Sequence, residues 1–281
     1  MTHELLEKYA NNLLDKVEQY KMVQYPIYIP SKARPKKITA AALEASGLNY
    51  LVVVEPQDWP DYLEVFPPAR LLKLPDNDQG IHYVRNFCKL HSLREGWEYH
   101  WQMDDNIRDF RIRRDNKNIK CEAINVLSAS EEYVREYDNI GILGLCHVGF
   151  AFARKNAVDV NKQVYSCVLV NNHVPVNWRP DVVEDTDYSL QVLEQEMCTL
   201  LINRFCIGKE TTSTNSGGND NSDKWRMKRS LGLQKHWPGA FTITEQYGRV
   251  KVNPSRIWRK YTHMPRGQNI DLNGNDLSNF F

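Results

Sequence analysis

Glu98-Tyr99-His100-Trp101-Gln102-Met103-Asp104-Asp105-Asn106 is the stretch from which the rest of the chain can be read. Residues 98–103 form a β-rich, largely apolar run that passes directly into two carboxylates and an amide. Acids at the C-terminal end of a strand lie on the edge where open α/β sheets bind ligands. Hard divalent ions such as Mg²⁺ or Mn²⁺ take oxygen ligands and are commonly held by one or two carboxylates plus substrate phosphates. Asp and Asn are also ordinary turn residues, so the triplet alone reads equally as a solvated turn.

Upstream, residues 25–30 form a second β-rich run that ends in the polar, basic turn Pro30-Ser31-Lys32-Ala33-Arg34. A helical stretch over 38–46 and a strand over 50–54, ending at Glu55, complete a β-loop-α-β unit. Gly80 opens a helix over 81–93 whose first turns carry Arg85 and Asn86, where backbone amides and a guanidinium suit phosphate. An amphipathic pattern over 4–20 predicts a helix packed on the outside of the main domain.

Downstream, residues 148–153, 164–170 and 200–207 read as buried strands. Arg179-Pro180-Asp181-Val182-Val183-Glu184-Asp185-Thr186-Asp187 leads into a helix over 186–197. An acid there can serve as a general base toward a hydroxyl, although Asp185 or Thr186 would equally serve as an N-cap. Residues 211–223 contain Gly217 and Gly218 and no large apolar anchor among the aliphatic residues, the composition of a mobile loop and a candidate lid over a bound ligand. His236, in Lys235-His236-Trp237, is a candidate metal ligand or phosphate contact. The resulting division is an N-terminal helix over 1–24, a main domain over 25–240 and a basic extension over 241–281.

A chain of 281 residues with 42% apolar content can bury a full core. Its N-terminal residues carry Glu4, Glu7 and Lys8 and lack a secretory pattern, and no apolar run approaches the roughly 20 residues of a membrane span. Six cysteines without a Cys-x-x-Cys pair argue against a zinc ribbon or a disulfide framework, and the expectation is a cytoplasmic protein with reduced thiols. The net charge of +1 hides a segregation: residues 224–266 hold eleven Lys or Arg against the single acid Glu245. The remainder holds 25 basic and 34 acidic residues. Cations interleaved with Trp225, Trp237, Trp258 and Tyr261 suit a nucleic-acid backbone and its bases, or form a solvated basic tail.

Taken in order, Pro30-Ser31-Lys32, Glu55, Gly80 with Val84-Arg85-Asn86, Gln102-Met103-Asp104-Asp105-Asn106 and Glu184-Asp185-Thr186-Asp187 resemble a GT-A glycosyltransferase. More narrowly, they resemble the TET-associated glycosyltransferases, found in phages and related to the base J glucosyltransferases. The resemblance implies an α/β fold with a Rossmann-like mixed sheet flanked by helices. It implies a nucleotide sugar as donor, a UDP-sugar, and DNA bearing a hydroxylated or hydroxymethylated pyrimidine as acceptor. It further implies Mn²⁺ or Mg²⁺ at Asp104 and Asn106, with Asp105 beside them, and Asp185 as the base of an inverting displacement. Donor contacts would come from Pro30, Ser31, Lys32, Arg34, Glu55, Arg85, Asn86, Asp104 and Asp105. A protein or polysaccharide acceptor on the same fold is the alternative.

Overall fold

The computed structural model describes residues 2–210, 222–246, 249–254 and 256–267. In chain order its strands are β1 Ile27–Pro30, β2 Leu51–Val54, β3 Leu71–Lys73, β4 Tyr99–Met103, β5 Ile107–Arg114 and β6 Lys117–Cys121. They continue as β7 Ile140–His147, β8 Val158–Val160, β9 Cys167–Asn171, β10 Cys198–Lys209, β11 Phe241–Gln246 and β12 Arg249–Pro254. The helices are α1 His3–Asp15, α2 Ile38–Glu44, α3 Trp59–Leu63, α4 Ile81–Arg94, α5 Ala123–Glu136, α6 Val148–Ala151, α7 Glu184–Glu194 and α8 Asp223–His236.

The main sheet has the order β3-β2-β1-β4-β9-β7-β10-β5-β6, with β8 also on β10. Strand β1 is parallel to β2 and β4, and β2 is parallel to β3. Both β4 and β7 are antiparallel to β9, and β7 is parallel to β10. Strands β1 to β4, β7 and β10 therefore all point one way. Pro30, Val54, Met103, His147 and Lys209, at or near their ends, face the same edge. The sheet is mixed and helices flank both faces, the α/β class the sequence implies.

Side chains along a strand alternate between the faces. Ile27, Ile29, Val52, Val54, Trp101 and Met103 join Leu6, Leu43 and Leu127 of α1, α2 and α5 in one core. Tyr28 and Val53 turn the other way, toward Val84 and Cys88 of α4, and Ile142, Val168 and Val170 meet Tyr188 and Val192 of α7. The N-terminal helix is part of the first core: the hydroxyl of Thr2 accepts from the Leu5 amide, and Leu6, Leu13 and Leu14 are buried, at about 2 kcal/mol each. Entry into β1 is held by the buried Glu131, whose carboxylate accepts from the amides of Gln24 and Tyr25 and from the Trp101 indole.

Two local expectations are corrected. Residues 148–153 are not a strand: the apolar strand is β7, just upstream, and the His147 ring accepts from the Gly149 amide to start α6 instead. The helix expected over 186–197 begins at Glu184, and neither Asp185 nor Thr186 caps it; Asp185 lies in the first turn. The β5-β6 hairpin and α5 had no counterpart in the sequence reading. All six cysteines are free, and no helix among the described residues is long and apolar enough to cross a membrane.

The C-terminal segment folds back on the domain. Leu233, Ala240 and Phe241 pack against Leu190 and Leu193 of α7, and Asn139 donates to the Met264 carbonyl while accepting from the Arg266 amide. The expected lid over 211–223 lies, as far as residue 221, outside the described residues.

Candidate active site

Two neighbouring features occupy the edge formed by the strand ends. The first is a cavity of about 360 Å³ lined by Pro30 at the end of β1, Ser31, Lys32 and Arg34 after it, Glu55 after β2, Gly80 and Val84 at the start of α4, and Trp225 of α8. Lys32 Nζ lies 3.1 and 3.0 Å from the two oxygens of the buried Glu55 and also contacts Asp78. Burial opposes charging of Lys32, but these carboxylates outweigh it and raise its pKa. Gly80 adopts φ +84°, a left-handed conformation that suits glycine and turns the chain into α4.

The second feature is a charge cluster around Arg85, whose side chain is nearly buried. Its Nη2 lies 3.7 Å from Asp104 Oδ1 and 3.6 Å from Asp185 Oδ1, so the two carboxylates face one cation. Arg85 is held from behind: Gln102 accepts from its Nη1 at 3.3 Å and donates to its backbone carbonyl at 3.0 Å. Gln102 is itself 2.7 Å from His100 Nε2, and His100 Nδ1 lies 2.6 Å from Asn172 Oδ1. Burial pushes the His100 ring down to about 3, so it is neutral and relays hydrogen bonds instead of charge. The polar face of β4 is thus a scaffold for Arg85.

Helix α4 also positions the loop that leads into α7 and Asp185. Asn86 exchanges two 2.9 Å hydrogen bonds with the Trp178 backbone, and Lys89 donates to the carbonyls of Val174 and Val176. Burial pushes the Asp185 carboxyl up to about 6; Arg85 opposes the rise and Asp104 adds to it. Asp104 moves the other way. Partial burial disfavours its charge, but Lys209 and Arg85 hold it below the usual carboxylate range. Opposed shifts in a facing carboxylate pair are a mark of functional sites.

The acidic triplet splits by role. Asp104 is one third exposed and contacts Lys209 Nζ. Asp105 is turned inward: its Oδ2 accepts from Ser31 Oγ and Arg34 Nε, both at 2.7 Å, which locks the turn after β1. Asn106 is buried, and its amide donates to the Glu210 carbonyl. His236 meets Arg179 at 3.0 Å and lines a different hollow with Trp237 and Tyr261. Asp104, Asp185 and Arg85 are therefore brought together, while Asn106 and His236 are not among the groups around Arg85. Asn86 acts through the Trp178 loop.

Asp104, one third exposed, offers the hard oxygen that Mg²⁺ or Mn²⁺ takes, while the point that Asp104 and Asp185 share is filled by the Arg85 guanidinium. No group of three His, Cys, Asp or Glu side chains able to hold a metal occurs among the described residues. The remaining ligands would have to be donor phosphates and water, as is usual for Mg²⁺.

Sequence reasoning missed Lys209, Ser166, Trp225 and Arg229. Ser166 accepts the Asp104 amide at its carbonyl and Lys209 Nζ at its hydroxyl, and it holds φ 68°. Lys209 could have been found as the polar end of the long apolar run 198–208. Trp225 was counted with the basic segment and instead forms a wall of the cavity, with the Arg229 guanidinium 4.1 Å from its ring centroid. Arg229 also pairs with Glu184, one residue before Asp185.

No curated protein matches the chain. Among solved structures it is similar to GalNAc-T7 crystallised with UDP, GalNAc and Mn²⁺, at 5% identity, 67% coverage of this chain, 44% of that one and a TM-score of 0.45. It is also similar to a mycobacterial protein, at 8% identity, 86% and 87% coverage and a TM-score of 0.45. The chain spans less than half of the GalNAc-T7 chain. The model of the TET-Associated Glycosyltransferase family matches residues 25–218, from just before β1 to beyond β10, and the chain belongs to that glycosyltransferase family.

Proposed function

We propose that this glycosyltransferase moves a sugar from a UDP-sugar onto the hydroxyl of a hydroxylated or hydroxymethylated pyrimidine in DNA, with inversion at the anomeric carbon. The observation that carries the reading is the pairing of Asp104 and Asp185 about Arg85 beside the cavity behind Ser31 and Glu55. The cavity accommodates the nucleoside part of the donor, and Arg85 and Lys209 face its diphosphate. Asp185, with a carboxyl near pH 6, is largely ionised at neutral pH yet basic enough to take a proton. The acceptor oxygen, as its proton passes to Asp185, attacks the anomeric carbon from the face opposite the diphosphate. The bond to the diphosphate breaks, and UDP leaves with that electron pair. A bound divalent ion, held by Asp104 with Asp185 nearby, would supply charge neutralisation for the departing diphosphate.

DNA as acceptor is supported by the family's association with TET enzymes, as its name states, and by the exposed cations Lys224, Lys235 and Arg259. The test is mass spectrometry of nucleosides after incubating hydroxymethylated duplex DNA with a panel of UDP-sugars, with and without EDTA. A hexosyl-type mass gain on the pyrimidine, lost in EDTA, is the expected result. Transfer to protein or glycan with no transfer to DNA would establish the alternative acceptor.

A further inference from the structure

The strand edge that carries Asp104 and Lys209 also carries the end of β7, where His147 leads into α6. Phe150 on that turn is 56% exposed, yet it is not isolated: its ring centroid is 5.5 Å from His147 and 6.4 Å from Tyr165, the latter edge-on at 82°. Tyr165 immediately precedes Ser166, which accepts from both the Asp104 amide and Lys209. Ser166 adopts the left-handed backbone that non-glycine residues rarely take, and such conformations persist where the surroundings enforce them. The aromatic group is thus tied through one residue to the acid cluster.

A second exposed phenylalanine makes the contrast. Phe152 is 66% exposed, but its ring lies 4.9 Å from the Arg113 guanidinium. Arg113 sits on β5 far from Ile107, the residue in register with Lys209. The Phe152 ring is thus engaged by a cation of β5. The Phe150 ring instead has aromatic neighbours and follows the end of β7 that lies beside β10 and Lys209.

We propose that Phe150, backed by His147 and Tyr165, is the acceptor subsite: a stacking platform for the planar ring of the base whose hydroxyl is glycosylated. The inference rests on the reading of a pyrimidine acceptor given above. A base in duplex DNA must leave the stack to be modified, and an exposed ring restores the lost stacking contact. Stacking is tolerant of base identity, so Phe150 supplies affinity while the hydroxyl near Asp185 supplies selection.

The experiment uses the full chain, a hydroxymethylpyrimidine duplex and the UDP-sugar that the wild-type enzyme transfers, with Phe150→Leu, Phe150→Trp and Phe152→Leu. Phe150→Leu should raise the KM for DNA roughly tenfold to hundredfold, the range expected for loss of one stacked base, with UDP affinity unchanged. Phe150→Trp should restore near wild-type KM, and Phe152→Leu should match wild type. A wild-type KM in Phe150→Leu overturns the subsite while the base-acceptor reading stands. UDP affinity falling in parallel with DNA affinity also overturns it, by showing a structural role. A wild-type enzyme that modifies no hydroxymethylated DNA overturns the acceptor reading and the subsite with it.

Discussion

The strand edge around Arg85 and the basic segment after residue 223 both carry concentrated charge in the sequence, and the fold uses the two differently. At the edge, the charges come from distant parts of the chain and converge because parallel strands end together. In the basic segment the charges are neighbours in sequence, and several turn back onto the domain. Lys228 pairs with Asp181, Arg229 with Glu184, Lys260 with Glu194 and Arg266 with Asp138. Four of the eleven basic side chains of the segment thus pair with acids of the preceding domain. Segregation of charge along a chain is therefore evidence of a partner, and here part of that partner is the protein itself.

The largest effect should come from the edge. Asp185→Asn keeps the shape and removes the basicity, so kcat should fall by about 10²- to 10⁴-fold with UDP affinity preserved. The wild-type rate should decline as pH drops through about 6, because protonation of the raised carboxyl removes the base. In Asp185→Asn that limb should vanish from the residual rate. A parallel loss of UDP affinity would move Asp185 into donor binding and weaken the contrast between the two regions.

Two further changes test whether the basic segment is structural. Arg229 and Glu184 are both mostly buried, so Arg229→Ala leaves a carboxylate without its partner and removes the cation from the Trp225 ring. A loss of about 3 kcal/mol in urea unfolding is expected, with weaker UDP binding through Trp225. Gly232 approaches the domain closely: a Cβ there would lie 2.0 Å from the Asp181 carbonyl oxygen, which is backbone and yields little. Gly232→Ala should cost about 1 to 3 kcal/mol by lifting α8. Unchanged stability in both variants would mean that α8 is not seated on the domain.

Much of the edge was legible in the sequence because strand ends and turns are local events. The Pro30 to Arg34 turn, Glu55, Arg85, Asp104 and Asp185 all fall at boundaries that period and glycine signals mark. What local pattern cannot give is which way adjacent residues face. Asp104 and Asp105 look interchangeable, yet one faces the cluster and the other closes on Ser31 and Arg34. Gln102 and His100 read as polar interruptions of a strand, and only packing against α4 reveals them as the support of Arg85. The role of Trp225 depends on how α8 returns to the domain, which no periodicity encodes.

The smallest effect is expected at Lys260, and it divides the two uses of charge most directly. Its pair with Glu194 is open to solvent, with side-chain exposures of 64% and 40%, so Lys260→Ala should cost no more than about 1 kcal/mol. Hydrogen bonds from Lys260 and Tyr261 hold the Glu194 carboxyl below the usual range. That stabilisation is present above the carboxyl's unfolded pKa and is lost as pH falls through the folded value. The difference between wild type and variant should therefore shrink on acidification, and shrink again in high salt, where exposed pairs are screened. DNA affinity should keep its salt dependence, since a residue engaged with Glu194 releases no counterion from a phosphate. A Lys260→Ala protein of unchanged stability, whose log affinity for DNA loses about 0.9 of its slope against log salt, would instead assign this cation to the nucleic acid. In that case the basic segment would be a binding surface at its far end and a structural one only near α8.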